Sequence, residues 1–282
     1  MNKAGATQLQ LARIIVVAGL ALLLGACDPP DITHGDDYQA AVREAEAARV
    51  AGNVDTAIPL YDRALQANPQ GSEAKLGLGK ALLTIGAAEE AAAQFRDVLA
   101  RQGNNSTARR GLASALIAMG QPTLAEQQID EALRANANDY HALNLLGVVL
   151  DMQGRHAEAQ ANYHRGLELA PDDPGLRSNY GLSLAITGQP QEAIAMLVPL
   201  ASSRNATPRI RQNLAFAYAM AGDLSNSLQL CRRDMDEAFA QRQLGYFAQL
   251  RSLPPELRSA EFRRNPMFVP QNANLAPASA GL

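Results

Sequence analysis

The side chain with the most definite chemistry in this sequence is the thiol of Cys27. It directly follows Leu24-Gly25-Ala26, at the end of an apolar run over residues 14–24 that only Gly19 interrupts. Lys3 and Arg13 place positive charge ahead of that run. Eleven residues are too few to span a ~30 Å hydrocarbon core as a helix, which takes ~20. The length suits the core of a secretory leader, with small residues that let a peptidase close on the backbone. A cysteine exposed by such a cut offers its sulfur for acylation.

The tetrapeptide resembles the bacterial lipobox: an aliphatic residue, two small ones, then cysteine. Residues 1–26 are therefore expected to be a lipoprotein signal peptide, and residues 27–37 the lipidated cysteine and a short polar tether. The expected non-protein groups are covalent, a diacylglycerol on the Cys27 sulfur and an acyl chain on its amine, with no dissociable cofactor. Each buried CH₂ of those chains contributes roughly 0.8 kcal/mol, so several chains hold a protein firmly at a membrane. The body would then face the periplasm. Asp28, next in the chain, is associated in enterobacterial lipoproteins with inner-membrane retention. The outer membrane is the expected home, and Asp28 keeps the inner one open.

The remaining reactive types form no recognisable centre. His34, His141, His156 and His164 include no His-Glu-x-x-His pair, no Cys/His set has metal-ligand spacing, and nearby carboxylates give His156 and His164 no useful support. No serine lies in a Gly-x-Ser-x-Gly elbow, and no glycine-rich phosphate loop occurs. The expectation is a chain without catalytic residues, bound metal or small-molecule substrate. After residue 26 there are 23 basic and 28 acidic residues, a formal −5, and no basic stripe, which argues against nucleic acid as a partner.

What positions the rest is a repeat. Gly52, Gly86, Gly120, Gly154, Gly188 and Gly222 follow one another at intervals of 34 residues. Five residues after each stand Ala57, Ala91, Ala125, Ala159, Ala193 and Ser227; four further on come Tyr61, Phe95, Ile129, Tyr163, Leu197 and Cys231. Seven before each lie Ala45, Gly79, Ala113, Gly147, Gly181 and Ala215. This period and pattern are those of the tetratricopeptide repeat (TPR), two antiparallel helices per unit. The glycine supplies the turn, the small residues mark where helix axes approach, and the bulky residue fills the gap to the next unit. Cys231 is thus read as a small buried hydrophobe.

The expected architecture is all-α: a right-handed TPR superhelix, or α-solenoid, of about six helix-turn-helix repeats with a C-terminal capping helix. The units fall at 38–71, 72–105, 106–139, 140–173, 174–207 and 208–241, with 242–264 as capping helices (the first reaching back to about residue 238) and 265–282 as a disordered tail. One unit cannot bury its own apolar face, so stability comes from stacking neighbours.

The first helices of such an array line its concave face. Counted from fourteen residues before each turn glycine, positions 2, 5, 6, 9, 12 and 13 face inward. In the later units these supply a candidate partner-binding groove of Asn144, Val148, Asn179, Arg209, Gln212, Asn213 and Phe216, with His141 and Ser178 beside them. Asparagine amides both donate to and accept from a peptide backbone. Asn179, Arg209 and Asn213 resemble part of a two-carboxylate clamp, but Asn144 stands where that clamp needs lysine. Replacing Asn179, Arg209 and Asn213 by alanine is expected to abolish partner capture with little change in melting.

Two stretches carry a more specific resemblance: Asn179-Tyr180-Gly181-Leu182-Ser183-Leu184-Ala185, and residues 208–223, whose Arg211-Gln212-Asn213 before Leu214-Ala215 is not demanded by repeat logic. With the lipobox they resemble the TadD family, TPR lipoproteins of the tight-adherence (Flp pilus) secretion system. The resemblance implies a scaffold for pilus assembly, pilotin-like toward the outer-membrane secretin, with secretin or other pilus-assembly subunits as partners. Two other readings fit a TPR lipoprotein: a regulator of peptidoglycan enzymes, and an aid to outer-membrane protein assembly.

Overall fold

The computed structural model describes residues 32–264, which form fourteen α-helices and no strand. The leader, Cys27, Asp28 and the tail from residue 265 lie outside the described residues. Twelve helices pair into the six units: α1 (Ile32–Val50) with α2 (Val54–Ala67), α3 (Ser72–Thr84) with α4 (Ala88–Arg101), α5 (Ser106–Ala118) with α6 (Pro122–Ala135), α7 (Tyr140–Gln153) with α8 (His156–Leu169), α9 (Pro174–Ile186) with α10 (Pro190–Ala201), and α11 (Pro208–Ala221) with α12 (Leu224–Asp234). Two more, α13 (Glu237–Ser252) and α14 (Pro255–Arg264), follow the array. The first helix begins at Ile32, inside the stretch read as tether, so residues 32–37 are helical.

Local chemistry sets the helix ends. At Gly154 the chain turns left-handed with φ +80°, and the Arg155 amide reaches back to the Leu150 carbonyl at 2.8 Å. That six-to-one bond closes a Schellman-type C-cap, a conformation only glycine adopts without a Cβ clash. The first helices of units 3 to 6 start behind a side-chain cap at the same 34-residue spacing. Asn105, Asp139, Asp173 and Thr207 accept from the amides of Ala108, Ala142, Leu176 and Ile210. Each such cap contributes about 1 kcal/mol.

The core lies between the helix layers. Ala57, Ala91, Ala125, Ala159 and Ala193 are fully buried, and so are the bulky residues Tyr61, Phe95, Ile129, Tyr163 and Leu197. Each large side chain is held between its own first helix and the next. A Cβ on Gly147 would lie 2.4 Å from the Tyr163 ring within the unit, and one on Gly111 would lie 2.4 Å from the Phe95 ring of the preceding unit. Ring and glycine thus define the spacing of neighbouring helices, and an alanine at Gly111 would have to push the ring out of place.

Successive first helices pack on one another along the array, whereas successive second helices make no comparable contact among the described residues. The array therefore curves with its first helices inside. At the far end α13 stacks on α11 and α12 as a further first helix would, burying Ala240, Phe247 and Leu250. No described helix is long and apolar enough to cross a membrane.

Candidate functional site: the inner face and its C-terminal latch

The residues expected to line the groove separate into two groups. Asn179 donates from Nδ2 to Asn144 Oδ1 at 2.9 Å, and Asn213 donates to the Ser178 hydroxyl at 3.0 Å and carbonyl at 3.3 Å. Each bond joins position 6 of one first helix to position 5 of the one before. Asn179 and Asn213 are buried, so these amides hold adjacent helices in register. The expectation that they can be removed without loss of stability is corrected accordingly: removing a donor leaves a buried acceptor without its partner.

Val148 and Phe216 are core residues, not groove walls. Val148 packs among the helices of the central units, and Phe216 is fully buried beneath α13 against Phe247. Position 9 is buried in units 3, 4 and 6 and partly exposed in units 1, 2 and 5; in the last unit the cap covers it.

Asn144, Arg209 and Gln212 keep partial exposure on the inner face, and His141 is exposed there. Burial holds the Arg209 guanidinium below its ordinary pKa, against the opposing influence of the Tyr163 phenol. The His141 ring is likewise held below the usual 6.5, first by the protein around it and then by the nearby Arg110 cation. A side chain inside a concave surface can meet solvent and still be poorly hydrated. The inner face of these units is polar and sensitive to charge.

Sequence reasoning missed a buried polar cluster at the turn edge. Asp151 Oδ1 lies 2.7 Å from His156 Nδ1 and accepts from Ser183 Oγ at 2.9 Å, while Tyr163 donates its hydroxyl to Asp151 Oδ2 at 3.1 Å. The other His156 nitrogen, Nε2, is hydrogen-bonded to Ser259 Oγ on α14. His156, read as lacking a nearby carboxylate, therefore has one five residues before it, and the second contact lies 103 residues away. Burial raises the Asp151 pKa above its usual 3.8.

The order Asp–His–Ser matches the hydrogen-bond relay of serine hydrolases. The setting does not. Ser259 is 5% exposed in the middle of α14, where backbone amides belong to the helix ladder and cannot serve as oxyanion donors. The cluster acts as a latch. Beside it Arg258 donates to the carbonyls of Ile186, Leu250 and Leu253, and Arg251 lies over the turn at Gly222. The two final helices thus run back along the turns of units 6, 5 and 4.

Among the described residues no group of three or more His, Cys, Asp or Glu side chains is placed to hold a metal ion. Cys231 is a free, buried thiol, raised to about 11 by burial and by Asp234.

The family model for the tetratricopeptide repeat matches residues 42–107, 110–174 and 153–202, more than half of the chain. No curated protein matches the sequence. Among solved structures, the chain is similar to a thermophilic TPR protein of Thermus thermophilus, at 24% identity and a TM-score of 0.58, over 64% of this chain and 98% of that one. It is similar to a TPR protein of Parabacteroides merdae at 14% identity and a TM-score of 0.63, over 82% and 89%. PilF of Pseudomonas aeruginosa aligns at 16% identity and a TM-score of 0.54, over 71% and 91%. These likenesses are likenesses of fold.

Proposed function

The chain belongs to the tetratricopeptide-repeat family, and from that premise we propose that it is a lipid-anchored scaffold that holds other polypeptides for tight-adherence (Flp) pilus assembly. The observation that carries this reading is the unbroken inner face: six first helices in one register, joined by side-chain bonds in the later units and closed at one end by a cap. A rigid, curved, polar surface of this kind suits a segment of another chain, since its shape exists before binding and little ordering is needed on the scaffold's side.

The anchor in this reading is Cys27, on the strength of Leu24-Gly25-Ala26-Cys27 behind a short apolar run. The assignment to pilus assembly rests on residues 179–185 and 208–223, the stretches that resemble the TadD family. The mechanism is mechanical: acyl chains hold the body at the periplasmic face of a membrane, preferably the outer one. The inner face retains a segment of the secretin or of another assembly subunit, which is carried to that membrane with it.

Co-purification from detergent-solubilised membranes tests the proposal. Enrichment of a secretin with the wild-type protein supports it. Enrichment of peptidoglycan synthases or hydrolases, or of outer-membrane assembly components, in place of a secretin would transfer the function to those systems.

A further inference from the structure

Three cationic side chains and one imidazole cross the inner face of the first four units in a regular order. Arg49 stands at position 12 of unit 1, Lys80 at position 9 of unit 2, Arg110 at position 5 of unit 3 and His141 at position 2 of unit 4. Each step to the next unit therefore goes back three or four residues, one helical turn. Because successive first helices pack side by side, this pattern draws a diagonal line across them.

The line differs from the rest of the molecule in charge. The chain as a whole is acidic, with a formal −3. Two of the cations already have carboxylates: Arg49 donates from Nε to Glu46 at 2.8 Å, and Arg110 pairs with Asp139, the N-cap of α7. Lys80, between them, has no carboxylate within ion-pair distance among the described residues. Burial holds its ammonium below its ordinary pKa, and Arg49 and Arg110 act in the same direction against the opposing charge of Glu46. Arg110 and, least of these charges, Lys80 also press on His141, against the pull of Asp139 and Asp173. The four groups thus address one space, and its central cation, with Glu46 acting on it from a distance, makes no direct ion pair among the described residues.

We propose that this line seats an acidic segment of a partner polypeptide, bound extended across the first helices of units 1 to 4. The proposal rests on the scaffold reading and specifies the partner's chemistry. Adjacent helix axes lie about 8–10 Å apart and one turn rises about 5.4 Å, so consecutive cations are spaced by about 10–11 Å. An extended chain advances about 3.3 Å per residue, so the matching segment carries Asp or Glu at roughly every third residue over about ten residues. The chain's own tail, residues 265–282, contains no Asp or Glu and does not meet that description.

The test is fluorescence anisotropy with full-length protein in neutral detergent. Three labelled peptides are compared: Gly-Ser-Glu repeated four times, the same peptide with Gln for Glu, and one of the same composition with its glutamates clustered at one end. The spaced acidic peptide is expected to bind at least about tenfold more tightly than the Gln peptide at low salt, and to weaken as salt rises. Lys80→Gln should remove most of that preference, while Arg134→Gln, an exposed charge change on α6, should leave it intact. Circular dichroism of each variant establishes that the fold is retained. Equal binding of acidic and Gln peptides, no binding by any peptide, or full binding by a folded Lys80→Gln protein would overturn the proposal. A secretin that still co-purifies with Lys80→Gln would overturn the cation line while leaving the scaffold reading standing. A clustered peptide that binds as well as the spaced one would overturn the extended register.

Discussion

The ring of Phe247, on the first capping helix, meets the ring of Phe216 edge-on, with centroids 5.3 Å apart and planes at 71°. Both are fully buried, so the last unit of the array has its inner apolar face covered by the cap. Phe247→Ala is expected to cost about 3–5 kcal/mol. Because repeat arrays are stabilised through neighbours, the loss should localise. Hydrogen exchange should show α11 to α13 opening first while units 1 to 4 stay protected. Uniform loss of protection along the chain would contradict this.

Ser227 stands where the other five units have alanine, and its hydroxyl is buried without a hydrogen-bond partner among the described residues. A buried hydroxyl that has left water without finding a partner is destabilising. Ser227→Ala should therefore stabilise the protein by about 1 kcal/mol, raising its melting temperature by about 2–4 °C. A lower melting temperature would mean that the hydroxyl has a partner after all.

Asn213 serves the helix interface. Asn213→Ala removes the donor to Ser178 and should cost about 1–3 kcal/mol, visible as a lower urea midpoint with unchanged slope. An unchanged midpoint would return Asn213 to the groove.

Cys231, with its pKa raised to about 11, stays protonated and covered at neutral pH. It should resist a maleimide at pH 8 in the native protein and react fully in urea, since the thiolate is the nucleophile. Rapid native labelling would show that α12 does not bury it.

His141 has a lower proton affinity in the fold than the ordinary imidazole value of 6.5, chiefly through burial and Arg110. The unfolded chain binds that proton more readily. Its contribution to stability is therefore complete above about pH 6.5 and is lost as pH falls through the folded pKa. Proton NMR of the ring should show a midpoint below 6.5 that rises when Arg110 is replaced by Gln. A midpoint that does not move would remove the charge coupling.

The sequence made the array legible because the repeat is strict. The turn glycines and the bulky residues from Tyr61 to Cys231 each do the same local task six times, the buried alanines five times with Ser227 in the sixth unit, and the structure puts them at one set of positions. The inner face was harder to read. Position alone cannot tell a side chain that meets solvent from one that bonds the next helix, so Asn179 and Asn213 looked like ligand contacts. Phe216 looked exposed because its position in the repeat does not reveal that the capping helix covers it. The latch was out of reach for a different reason. His156 and Ser259 are 103 residues apart, and no periodic signal links α14 to the turns it covers.

The central claim is that a partner polypeptide lies along the inner, first-helix face. Site-specific photo-crosslinking in intact cells tests it directly, with a benzophenone amino acid at Gln212 on the inner face or at Arg134 on an exposed second helix. A secretin or other pilus-assembly subunit crosslinked from Gln212 but not from Arg134 is the predicted result. Crosslinks to such a subunit from Arg134 alone would place the partner on the outer surface and contradict the account.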